Sequence, residues 1–162
     1  MDSTHFAREL AKGRVAETIF EFMFRDTQKC TVLRFGYEYT QPVLAQYQER
    51  LGEHGKKVLR ALENAPDFAL LTEDKSSLYL IEVKYRQHRH EAEVLKMAED
   101  TVSRWGHAYL FIASPDGFFF DPCNTILNNN GRISNLEEKW VSKELQEKYL
   151  SLLDQFGLDR IP

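Results

Sequence analysis

Three charged residues stand where an apolar strand pattern leads one to expect none: Asp67, after Pro66, and Glu82 and Lys84, at the end of "SLYLIEVKY". Residues two apart in a strand point to the same face, so Leu78, Leu80, Glu82 and Lys84 form one row and Tyr79, Ile81, Val83 and Tyr85 the other. The first row turns from apolar to charged at its C-terminal end. If "DFALLT" and "LYLIEVKY" pair as a hairpin with Leu71 opposite Leu78 and Ala69 opposite Leu80, Asp67 falls opposite Glu82 on that face. Two carboxylates facing each other repel, so a positive charge is expected between them. A divalent cation with hard oxygen preference fits, because Mg²⁺ takes one or two carboxylates and keeps several waters. Lys84 then adds a point charge beside it, suited to orienting a water or to steadying negative charge that grows on an oxygen. The plain alternative is a solvated strand end at Glu82 and Lys84 and a turn residue at Asp67, since most surface charges are inert.

The elements that must hold these residues can be read on either side. Thr4 to Phe24 carries apolar residues at Phe6, Leu10, Val15, Ile19, Phe22 and Met23, a helical stripe weakened at Gly13. "CTVLRFGYEY", Cys30 to Tyr39, alternates as a strand, and Pro42 to Glu63 reads as one bent helix or two short ones. "EDKSS" between the two charged strands suits a hairpin turn, and Glu91 to Trp105 is a helix closed by Gly106. "HAYLFIAS" and "GFFFD" flank the turn "SPDG", "NNNGR" is a loop, and Ser142 to Phe156 is amphipathic, with Gly157 as its stop. The order predicts an α/β fold with a mixed sheet. Phe118 to Phe120 are expected to fill core and edge positions with at least one ring outside, a surface for dimerisation.

These residues resemble the PD-(D/E)xK phosphodiesterase superfamily, which includes type II restriction enzymes and Holliday-junction resolvases. The match lies in Pro66-Asp67 and Glu82-Val83-Lys84, and in element order from about Thr4 to Ser114. The resemblance implies a restriction-endonuclease-like αβββαβ core; the segment Pro42 to Glu63, a helical insertion after the first strand, departs from that pattern, and the residues add a C-terminal helical extension over 134–157, in a single domain whose core is about 4–121. It implies a Mg²⁺ site, with Mn²⁺ as a substitute, formed by Asp67, Glu82 and the main-chain carbonyl of Val83, with Lys84 positioning the water. It also implies a supporting glutamate from the first helix, for which Glu17 is the first choice and Glu21, one turn on, the competitor. The function it implies is an endonuclease acting on nucleic acid, DNA in the first instance. A nuclease-fold module that binds nucleic acid or a protein partner without cutting is the alternative, since a fold can outlast its chemistry.

Composition sets limits on this reading. The 162 residues are 43% hydrophobic and 28% charged, enough for one domain with a real core. Net charge is −4, which argues against gripping long duplexes by bulk electrostatics. Residues 1–90 nevertheless hold 14 Lys and Arg against 13 Asp and Glu, so a phosphate-facing surface is sought there. Arg86 and Arg89 in "KYRQHRHE", and Lys56, Lys57 and Arg60 in the insertion, are the candidates for holding nucleic acid. His88 and His90 lack partners at zinc-site spacing, and Cys30 and Cys123 are too far apart for a disulfide framework or a zinc site. No run approaches the roughly 20 apolar residues that cross a bilayer, and no secretory signal opens the chain, so a cytoplasmic or other intracellular location is the default expectation. A homodimer or a complex with a partner protein is compatible with all of this.

Overall fold

The computed structural model describes residues 3–35, 52–53, 56 and 65–158. The expected helical segment Pro42 to Glu63 lies outside these apart from Gly52, Glu53 and Lys56, and Lys57 and Arg60 lie outside them altogether. The chain begins with helix α1, Ser3–Asp26, followed by strands β1, Cys30–Arg34, β2, Phe68–Thr72, and β3, Leu78–Tyr85. Helix α2, Glu91–Trp105, crosses to β4, Ala108–Ser114, which turns into β5, Gly117–Pro122. A short helix α3, Cys123–Asn128, and helix α4, Lys143–Gln155, complete the order.

The five strands form one sheet in sequence order. β1, β2 and β3 are an antiparallel meander, β3 and β4 run parallel across the α2 crossover, and β4 and β5 are antiparallel. The sheet is therefore mixed, as the alternation of strand and helix patterns predicts. Strand pleating sorts β3 into two faces. Ile81, Val83 and Tyr85 enter a core with Ala16, Ile19, Phe20, Met23 and Phe24 of α1. On the opposite face Leu110 and Ile112 of β4 pack with Val94 and Ala98 of α2 and with Cys123 and Ile126 of α3. Phe20, Phe24 and Phe111 are fully buried, each worth about 1.5–3 kcal/mol of apolar burial. Among the described residues no helix is long and apolar enough to cross a membrane.

Three expectations are corrected. The buried stripe of α1 is Ala16, Ile19, Phe20, Met23 and Phe24, while Phe6, Leu10 and Phe22 are exposed, because the helix lies on the sheet only through its C-terminal half and along a stripe rotated from the expected one. Phe118, Phe119 and Phe120 are all buried. Phe118 and Phe120 face the α1 core and Phe119 the α2 core, and the outer edge of β5 is covered, so none of the three rings offers a dimerisation surface. That cover is the third correction, since 134–142 is not helical. Asn135 bridges to Phe119, with Phe120 N–H donating to Ser134 and Leu136 N–H donating to Phe118, which satisfies the edge groups of β5 before Ser142 caps α4.

The loop "NNNGR" follows α3, an element too short to show in the hydrophobic pattern. Gly131 there has φ +91, and a Cβ on it would sit 2.0 Å from the carbonyl oxygen of Glu91. The close approach docks this turn on the start of α2. Gly131→Ala is expected to lower stability by roughly 1–3 kcal/mol in urea unfolding, since both the backbone region and the contact exclude a side chain.

Candidate functional site

The pairs Phe68↔Ile81, Ala69↔Leu80 and Leu71↔Leu78 carry the register expected from the sequence, and extended by one step it sets Asp67 opposite Glu82. Asp67 precedes β2 at the mouth of the hairpin. Its backbone carbonyl accepts the Phe35 N–H at 3.0 Å, and its Oδ2 accepts the Val83 N–H at 2.7 Å. Oδ1 has no hydrogen-bond partner among the described residues. Burial pushes the Asp67 carboxyl up to about 7, and the charges of Glu82 and Glu17 push the same way, while the Val83 N–H and Lys84 oppose them. The carboxylate is thus held where its charge is poorly stabilised.

Glu82 is almost wholly buried, at 5% exposure, on the α2 face of the sheet. Lys84, two residues on and on the same face, donates to its Oε1 at 2.6 Å. The guanidinium of Arg104, from the last turn of α2, lies 4.0 Å from the same oxygen. Lys84 remains about one-third exposed, so its ammonium sits between the buried carboxylate and open solvent.

The two helix carboxylates differ in what they face. Glu21 is buried and held between Arg25, at 2.7 Å, and Arg34 of β1. Glu17 receives Arg34 at 3.1 Å, and its field reaches Asp67. Arg34 therefore links α1 to β1 directly beside the Asp67 end of the hairpin. No family model and no curated protein matches the chain. Among the described residues no group of three or more His, Cys, Asp or Glu side chains is gathered so as to hold a metal ion. Asp67 and Glu82 are the carboxylates that the hairpin register sets opposite each other, with the Val83 N–H on Asp67, and Glu17 is held by Arg34.

The predicted phosphate contacts are placed variously. Arg86 donates to the Tyr85 carbonyl at 2.7 Å and lies 3.7 Å from Glu93. Lys56 lies 3.9 Å from Glu53, at the fringe of ion-pair distance. Arg89 turns away from solvent: its guanidinium meets both carboxylate oxygens of Asp116, donates to the Ser114 hydroxyl at 3.0 Å and lies 3.4 Å from the Phe119 ring centre. It ties the β3–α2 loop to the β4–β5 turn. Arg89→Ala is expected to lower stability by about 1 kcal/mol in thermal unfolding, the scale of a partly exposed bidentate pair with a stacked cation.

Two residues of the site escape the motif reading. Arg34 had a signal, since it shares a strand face with Val32 and a lone arginine on an inward face needs a buried partner. Arg104 had none, because its approach to Glu82 depends on how α2 crosses the sheet.

Proposed function

We propose that this chain is a metal-dependent nuclease of the PD-(D/E)xK, restriction-endonuclease-like type, an endonuclease hydrolysing phosphodiester bonds of nucleic acid, DNA first among them. The observation that carries the reading is the opposed pair Asp67 and Glu82, with Lys84 on Glu82. A meander of three strands, a crossover helix and a parallel fourth strand, preceded by a helix, is the αβββαβ order that the reading requires. It supports the finer fold assignment.

The donor set suits Mg²⁺ or Mn²⁺. Asp67 offers an oxygen with no hydrogen-bond partner among the described residues and a carboxylate held unfavourably, Glu82 a buried carboxylate, and Val83 its carbonyl. Such an ion supplies the charge that activates a water and polarises a phosphoryl oxygen. The chain's own residues do the rest. The Val83 N–H fixes the orientation of Asp67. Lys84, about one-third exposed, is placed to turn from Glu82 to the incoming phosphate oxygens and to keep positive charge where the pentacoordinate phosphorus becomes most negative. Arg104 stays near Glu82 as Lys84 moves. Glu17, ion-paired to Arg34, adds negative potential at the Asp67 end.

Incubation with labelled single-stranded, duplex and branched DNA and with RNA, in Mg²⁺ or Mn²⁺ against EDTA, tests the reading. Metal-dependent cleavage lost in Glu82→Ala and Lys84→Ala supports it; cleavage undiminished in both removes the assignment. A second reading, a catalytically silent module that binds nucleic acid or a protein partner, is favoured by the pairing of Glu82 with Lys84 and by the lack of a gathered three-ligand group among the described residues. No cleavage of any substrate, with no divalent ion bound, selects it.

A further inference from the structure

An open groove of about 620 Å³ lies at the C-terminal end of β3, between α1 and α2. Tyr85 and Arg86, the two residues that follow Lys84, form part of its wall. On the α2 side it reaches Asp100, one turn before Arg104, whose guanidinium approaches Glu82. The groove therefore runs along α2 past the strand end and stops one helical turn short of the candidate site, a path a polymer would take on leaving the reacting phosphate.

Its charges are balanced. Lys12, Arg86 and Lys96 face it together with Glu9, Glu93 and Asp100. Surfaces that take duplex DNA meet closely spaced phosphates with basic side chains and shed counterions in doing so. A duplex laid here would turn its phosphates, and not its base edges, toward three carboxylates. An unpaired strand presents base edges as well as phosphates, and carboxylates accept hydrogen bonds from exocyclic amino groups such as cytosine N4. Lys12 is ion-paired to Glu9 at 3.2 Å and drawn inward, with its side chain only 16% exposed and its ammonium over the Tyr85 ring at 5.9 Å, while Lys96 has no ion pair among the described residues. Met97 adds an apolar wall. The volume lies within the range of pockets that enclose a few chemical groups, room for one or two nucleotides of a single strand.

We propose that this groove binds the unpaired strand of the substrate, so that the preferred substrate is single-stranded nucleic acid or a duplex with a single-stranded arm. The inference rests on the nuclease reading for its placement beside the scissile bond. Steady-state cleavage of a labelled mixed-sequence single strand, a blunt duplex of that sequence and the duplex with a splayed arm tests it with the full chain. At least a tenfold preference for the single strand and the arm is expected, with Lys12→Glu and Lys96→Glu raising KM several-fold on the single strand and leaving kcat within about twofold. A blunt duplex cut as fast as the single strand, or both variants indistinguishable from the parent, overturns it. If no substrate is cut at all, the nuclease reading fails separately, and fluorescence anisotropy of the same oligonucleotides decides the groove. Single strand bound in preference to duplex and weakened by the two variants supports it; equal or absent binding overturns it.

Discussion

Glu82→Ala is expected to lower metal-dependent cleavage by about 10²–10³-fold at saturating metal, the scale on which removing one preorganised charged group from an active site acts. The fold should survive. The lost carboxylate leaves Lys84 about one-third exposed, and its ammonium can turn to water, so no buried charge is left unpaired. Lys84→Ala carries a comparable loss in kcat for a different reason. Glu82 then keeps Arg104 at 4.0 Å, so the ion site persists while the cation that meets the phosphate is gone. Single-turnover rates, with circular dichroism to confirm folding, separate the two. Raising the metal concentration should partly rescue Glu82→Asp, which keeps the charge on a shorter stem, and should not rescue Lys84→Ala.

Asp67→Asn is expected to stabilise the protein in EDTA at pH 8 by on the order of 3 kcal/mol, a rise of roughly 5–10 °C in melting temperature. The sign follows from linkage. A carboxyl raised to about 7 in the folded state, against 3.8 when unfolded, holds its proton more tightly folded. The stability it contributes is full below the unfolded value and is lost as pH climbs through 7. Asparagine imitates the protonated form at every pH, and its side-chain carbonyl still accepts the Val83 N–H. The gap between variant and parent should therefore close as pH falls from 8 toward 4. Saturating Mg²⁺ should narrow or reverse it at pH 8, because only the parent gains the free energy of ion binding.

The hairpin was legible because its apolar alternation admits few registers. Setting Leu71 against Leu78 and Ala69 against Leu80 buries both strands, whereas a slip by one would turn their core residues outward. Helix α2 was legible to its ends, where Glu91 opens the periodic stretch and Gly106, at φ 65, closes it. What escaped depends on contacts across long sequence distance. At least one ring of Phe118 to Phe120 was expected outside, yet all three are buried, and Arg89, thirty residues before Phe119, lies on its ring. Arg89 in turn looked like a phosphate contact until Asp116 was found to hold it. Arg34 escaped the motif reading, because only the packing of α1 supplies Glu17 and Glu21 as its partners. Residues 134–142 resemble nothing periodic, and their role is to supply backbone to the edge of β5. Local patterns fix pairing within a hairpin; the partners of inward-facing charges come from whichever helix the sheet draws over them.

Asp67 and Glu82, set opposite each other by the hairpin, are proposed to share a divalent cation. Calorimetric titration of Mg²⁺ and Mn²⁺ into the full chain at pH 7.5, beside Asp67→Asn and Glu82→Gln, tests it without reference to substrate. One ion bound per chain by the parent, weakened at least tenfold in each variant and weakening as pH falls through 7, is the predicted result. No binding by the parent, or binding unchanged in both variants, would contradict it.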